Sequence, residues 1–201
     1  GMPPAFDQIV SSSPFFSISS SYPTLDRHLT RIPFGLVTGL TAEHHGIVAN
    51  RMFDEESGQT FVRGEPAEFD RRWWGGEPIW NTVQKTNRKA ATMFWPGSAA
   101  EVGGMRPSYW RPFDATVSNQ ARVEQVVTWL LLPPAERPSV VVVYIGTVDE
   151  VGHRSGPATI ETGQAVAEVD RAVGVLVDQL AKHGLTARTN LVVVSDHGMA
   201  E

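Results

Sequence analysis

Apolar positions along this chain follow two distinct periods. Two runs are rich in β-branched residues and show no polar alternation: Val140-Val141-Val142-Val143-Tyr144-Ile145 and Leu191-Val192-Val193-Val194. Such runs predict strands covered on both faces, as in a parallel sheet flanked by helices. Elsewhere the period is helical. Between residues 160 and 183, Ala165, Val169, Ala172, Val173, Leu176 and Leu180 form one stripe, and Gly184 follows as the C-cap. Arg122 to Leu132 places Val123, Val126, Val127, Leu130 and Leu131 at helical spacing and is stopped by Pro133-Pro134. The Val140 run, the long helix and the Leu191 run together predict a strand-helix-strand unit, right-handed and with parallel strands.

Weaker patterns occupy the first half. Leu36 to Leu40 predicts a helix end with Gly39 as C-cap, followed by a turn at His44-His45-Gly46. Ile47 to Phe61 predicts a short strand and a polar turn around Asp54 to Gly58. Pro78 to Asn87 predicts a helix with Pro78 in the first turn and Ile79, Val83 and Thr86 on one face. Ala90 to Trp95 predicts a strand closed by Pro96-Gly97, and Ala99 to Pro112 a loop that overhangs a site. Residues 10 to 35 lack a period and predict loop.

A chain of 201 residues is long enough for one domain with a sizeable core. Its 41% hydrophobic and 19% charged residues belong to a folded globular chain rather than a disordered one. Seventeen basic against 22 acidic residues, a formal charge of -5, argue against duplex nucleic acid held by a general basic surface. No apolar stretch approaches the ~20 residues that cross a bilayer, and no charged segment followed by an apolar core opens the chain. Compartment and oligomeric state leave no mark in the sequence. With no cysteine, a metal site must be built from His and Asp/Glu.

Parallel sheets bind ligands at the carboxyl ends of their strands. Asp149 and His153 lie just beyond the first valine run, with Gly152 between them and Gly156-Pro157 after, so that glycines let the backbone curl and aim both side chains inward. Asp196-His197-Gly198 directly follows the second. Taken singly, Asp149 also reads as a turn cap, His153 as a surface histidine and Asp196 as a helix N-cap. Taken jointly, two Asp/His pairs at two strand ends outline a metal site. Paired metals ~3.5–4 Å apart clamp the attacking and departing oxygens of a phosphoryl transfer. His44 and His45 read as turn residues, His183 as a solvated helix-end residue, and His28 falls in the unreadable segment.

These residues resemble the type I phosphodiesterase/nucleotide pyrophosphatase family of the alkaline-phosphatase superfamily, from Tyr22 to Glu201. The resemblance is carried by Leu36-Val37-Thr38-Gly39-Leu40 with His45-Gly46-Ile47-Val48 and Asn50, by Glu77-Pro78-Ile79-Trp80, Phe94-Trp95-Pro96-Gly97-Ser98 and Arg106-Pro107 through Trp110. Most specific are Asp149-x-x-Gly152-His153-x-x-Gly156-Pro157 and Ser195-Asp196-His197-Gly198-Met199. The resemblance implies a three-layer α/β sandwich with a mainly parallel sheet, here a single partial catalytic domain over residues 1–201, incomplete at both ends, whose first 21 residues look unlike the family. It implies two zinc ions, one on Asp196 and His197 and the other on Asp149 and His153. It further implies Asn50 as an oxyanion-type donor, Phe113 as the aromatic that stacks on a nucleobase, and a threonine nucleophile. The substrate class is a small nucleotide or phosphodiester. Family members are commonly exported.

Departures from the family pattern concern the nucleophile and the outer ligands. An early metal-binding aspartate has no counterpart, and a final histidine ligand is expected beyond Glu201. Tyr22-Pro23-Thr24-Leu25 begins the nucleophile stretch, but Asp26 to Gly35 diverges and is three residues longer, with Arg31 in place of the usual phenylalanine. Thr30 is the best surviving hydroxyl and Thr24 the second. Two alternatives to a working diesterase stand beside it: a truncated, inactive remnant of the same domain, and a phosphomonoesterase of the same superfamily. A sulfatase is excluded because no Cys/Ser-x-Pro-x-Arg setting is present.

Overall fold

The computed structural model describes residues 31–200, so Thr24, Thr30 and the family-unlike first 21 residues lie outside the described part. The described residues fall into two compact units. One comprises the chain through Asp114 together with Leu132–Tyr144; the other comprises Ala115–Leu131 and the chain from Ile145 onward.

The first unit begins with helix α1 (Arg31–Thr38), ended by Gly39 at φ 69° as its glycine predicts; its residues 31–35 are helical where the sequence predicts loop. The short helix α2 (Ala42–His45) ends at Gly46 in the left-handed region. His45 does fix the following turn: it is buried, its Nδ1 accepts the Ile47 N–H at 3.2 Å, and its ring meets Phe34 edge-on. Strands β1 (Arg51–Asp54) and β2 (Gln59–Val62) pair as an antiparallel hairpin around the predicted polar turn. Helix α3 (Ile79–Gln84) starts after Pro78 but turns a different face inward than its spacing predicts. Trp80 and Asn81 are buried while Ile79 is exposed, because the large indole excludes more water than Ile79 would.

A three-stranded parallel sheet follows, ordered β4-β3-β5, from β3 (Lys89–Met93), β4 (Tyr109–Arg111) and β5 (Pro138–Val143). Strand β4 lies inside the segment predicted as a loop, since three residues are too few to show a period. The core of this unit is aromatic: Phe34 packs edge-on against Trp74 at 4.8 Å and Phe61 against the same indole at 5.8 Å. Gly97 is required beside them. At φ 80°, it leaves room where a Cβ would lie 2.8 Å from Trp74 and 2.9 Å from Phe34.

The second unit is helical. Helix α4 (Asn119–Leu130) is capped by Ser118, whose side chain accepts the Ala121 N–H. Helix α5 (Thr147–Ser155) and the long helix α6 (Ile160–Lys182) follow, and α6 packs on both α4 and α5. Of the predicted stripe, Ala165, Ala172, Val173 and Leu180 are buried. The Leu191–Val194 run departs from its prediction: among the described residues it joins no strand, and Val192 is 68% exposed. Branched residues favour extended backbone, but only a neighbouring strand's hydrogen bonds make a strand of it. Among the described residues, no helix is long and apolar enough to cross a membrane.

Trp80→Ala should lower stability by roughly 3–5 kcal/mol through the void it leaves, seen as a fall in the denaturation midpoint. Burial, then a hydrogen bond to Glu136, holds the Tyr109 phenol above its ordinary range. Its folded pKa being raised, the stability it contributes is whole below the unfolded value of about 10 and is lost above it. Tyr109→Phe should therefore flatten the alkaline limb of a stability-against-pH curve.

Candidate functional site

Asp149 and His153 lie on α5, one turn apart, rather than on the glycine-curled loop that the sequence suggests. The i, i+4 spacing puts both side chains on one helix face, with His153 Nε2 3.3 Å from Asp149 Oδ1. His197 Nε2 approaches the same oxygen to 3.8 Å and Asp196 Oδ2 to 3.7 Å. All four side chains thus meet within one cluster of the helical unit.

Asp149 is the least exposed of the four at 17%, and its Oδ1 is cut off from solvent without a hydrogen bond. A desolvated carboxylate oxygen is costly unless positive charge lies beside it. The N···O separations of 3.3 to 3.8 Å are long for hydrogen bonds. Only the His153–Asp149 separation of 3.3 Å falls within the edge of a tetrahedron with ~2.0–2.2 Å metal bonds, roughly 3.3–3.6 Å. Nitrogen and carboxylate donors without thiolate suit zinc, so the donor chemistry of the cluster fits a metal. Among the described residues no group of three His, Asp or Glu side chains is placed to hold a metal ion.

The helix carrying Asp149 is held by a polar hub that sequence inspection passes over. Asn119 is buried, and its Nδ2 donates to Thr147 Oγ1 and to Glu168 Oε1, each at 2.8 Å. Thr147 Oγ1 in turn donates to Asn119 Oδ1. One amide thereby joins the first residues of α4 and α5 to the middle of α6. At the far end of α5, the Gly156 carbonyl accepts from Thr159 and Thr162. In sequence, Asn119 directly follows an N-cap serine and looks like ordinary capping composition.

In the sheet-bearing unit, aromatic residues gather where the three parallel strands end. Phe94 directly follows β3, Phe113 comes shortly after β4 and Tyr144 directly follows β5. Phe113 is half exposed and meets Phe94 edge-on at 5.5 Å and Tyr144 at 6.5 Å. The Arg63 guanidinium lies 5.7 Å from the Tyr144 ring centre. Phe94 holds φ 63°, a conformation that costs a bulky residue about 1–3 kcal/mol. Asn50 precedes β1 and its carbonyl accepts the Arg63 N–H at 2.9 Å, closing the open end of the hairpin. The expected nucleophile, Thr30, lies outside the described residues.

Comparison with known proteins matches residues 34–201 to the type I phosphodiesterase / nucleotide pyrophosphatase family. The chain is 39% identical over 168 residues to a venom phosphodiesterase of Macrovipera lebetinus, covering 84% of this chain and 20% of that protein. It is 38% identical over 168 residues to ectonucleotide pyrophosphatase/phosphodiesterase family member 1 of Mus musculus, covering 84% of this chain and 18% of that one. It thus spans about a fifth of the curated relatives it matches. Among solved structures, human ectonucleotide pyrophosphatase / phosphodiesterase 5 superposes with a TM-score of 0.73 at 30% identity, covering 78% of this chain and 41% of that chain. An inactive variant of the murine protein in complex with AMP gives 0.71 at 31% identity, over 76% and 41%. The α/β fold of alkaline-phosphatase type is therefore the fold of this chain.

Asn119→Ala should cost about 1–3 kcal/mol, because Thr147 and Glu168 lose a buried partner. Hydrogen exchange should quicken most at the start of α5.

Proposed function

Because the chain belongs to the type I phosphodiesterase/nucleotide pyrophosphatase family, we propose that it carries part of a metal-dependent hydrolase of phosphodiester or nucleotide pyrophosphate bonds. One observation above all supports this reading: the His153 and His197 imidazoles face an Asp149 carboxylate oxygen that lacks a hydrogen bond, and Asp196 lies beside His197. By the family resemblance, Asp149 and His153 would hold one zinc and Asp196 and His197 the other. Zinc, when bound, neutralises charge on the phosphoryl oxygens and favours the ionised form of a nearby oxygen nucleophile.

The remaining roles fall to the chain's own residues. Thr30 supplies the hydroxyl that attacks phosphorus, its Oγ–P bond forming as the bond to the leaving oxygen breaks. Water then releases the phosphoryl group from the threonine. The Asn50 side-chain amide donates to the phosphoryl oxygen on which charge accumulates. Phe113, half exposed and backed edge-on by Phe94, offers a ring face for a nucleobase. AMP in complex with the murine relative is in keeping with a nucleotide substrate.

A second reading, an inactive remnant that keeps the fold, has one observation in its favour: among the described residues no group of three His, Asp or Glu side chains is placed to hold a metal ion. Hydrolysis of a nitrophenyl phosphodiester in added zinc separates the two. The enzyme reading expects turnover that a chelator abolishes, that zinc restores and that Asp196→Ala reduces to background. Absence of turnover at every zinc concentration would establish the second reading, and faster hydrolysis of the monoester would mark a phosphomonoesterase instead.

A further inference from the structure

Gly152 lies on α5 between Asp149 and His153 and is buried. A Cβ added there would stand 2.8 Å from Met199 Sδ and 3.1 Å from Met199 Cε. Non-bonded heavy atoms in good contact are roughly 3.5–4 Å apart, so the thioether fills the space that any larger residue would need. Met199 closely follows Asp196 and His197, and its sulfur rests on the helix that bears the other two side chains.

The Asp196–Gly198 turn is shaped by its own short-range hydrogen bonds. Asp196 Oδ1 accepts the His197 N–H, Ser195 Oγ donates to the His197 carbonyl, and His197 Nδ1 meets Gly198 O at 2.9 Å. None of these joins the turn to α5. The turn approaches α5 through His197 Nε2, 3.8 Å from Asp149 Oδ1, and through the Met199 thioether at Gly152. The first is too long for a hydrogen bond, and the preceding Leu191–Val194 run is paired with no strand among the described residues.

We propose that Met199 is a positioning residue: its thioether seats in the notch at Gly152 and holds Asp196 and His197 over Asp149 and His153. Methionine suits the task because an unbranched, polarisable side chain fills an irregular gap without demanding a fixed rotamer. Gly152 suits it because a missing side chain lets sulfur lie against bare helix backbone. The consequence for metal affinity rests on the metal-dependent reading given above; the seating itself does not.

The 201-residue chain, Met199→Ala, Met199→Leu, Gly152→Ala and the Gly152→Ala/Met199→Ala double variant decide the matter through two measurements. Zinc affinity is measured by competition with a coloured chelator, and backbone hydrogen exchange of residues 195–200 is followed in metal-free protein. Met199→Ala should weaken zinc binding about 10- to 100-fold and quicken exchange, while Met199→Leu, of similar volume, keeps both. Gly152→Ala should do the same as Met199→Ala, yet its melting temperature should hold or rise, because alanine is the better helix former. The double variant should be no weaker than either single one. Additive losses, or wild-type affinity and exchange in Gly152→Ala, overturn the proposal. Should the unaltered chain take up no zinc, the metal reading falls and exchange alone decides the seating: faster exchange in both single variants upholds it, and unchanged exchange overturns it.

Discussion

A carboxylate oxygen that is shielded from water and lacks a hydrogen-bond donor needs positive charge nearby, and the helical unit is organised around that need. Asp149 is placed by α5, and α5 is placed by the Asn119 amide at its start and the Gly156 carbonyl at its end. Two imidazoles face the same oxygen, one from the next helical turn and one from the Asp196–Gly198 turn. Either a protonated imidazole or a bound cation answers the electrostatic demand. The separations of 3.3 to 3.8 Å are those of ion pairs rather than of hydrogen bonds.

Elements whose burial follows a simple period were legible in the sequence. The α6 stripe is of this kind, as are the hairpin turn at Asp54 to Gly58 and the glycine that ends α1, whereas of the α4 stripe only Val123 and Val126 are buried, Leu131 being exposed and Trp129 buried in its place. Elements decided by one large side chain or by partners elsewhere were not. Trp80 outweighs the Ile79 face of α3, β4 is too short to carry a pattern, and Leu191–Val194 looks like a strand without being paired as one. Asp149 and His153 were found as a pair although their setting was misread as loop. Spacing of four satisfies a curled loop and a helix face alike, and the helix starts at Thr147, where composition offers no separate signal.

For the site, chemistry was legible and support was not. Metal-ligating residue types stand out by rarity and by position after apolar runs. Asn119 and Met199 are of residue types found everywhere, and their importance lies in what each touches: Asn119 reaches Thr147 and Glu168, far along the chain, and Met199 reaches a glycine. The sheet-bearing unit shows the same split. Phe113 was named from family resemblance, whereas the edge-on backing by Phe94, held in an unfavourable backbone conformation, emerges only in three dimensions.

The exposed Leu191–Val194 run has a further consequence for the chain as a material. Val192, Val193 and Val194 are 68%, 40% and 42% exposed, and the run is free of charge, proline and glycine. An exposed apolar segment of high β-propensity is a place where copies of a chain pair with one another. Arg188 and Asp196 flank it as the nearest charges on either side and act as gatekeepers against such pairing. An apolar run left open in this way makes self-association rise with concentration.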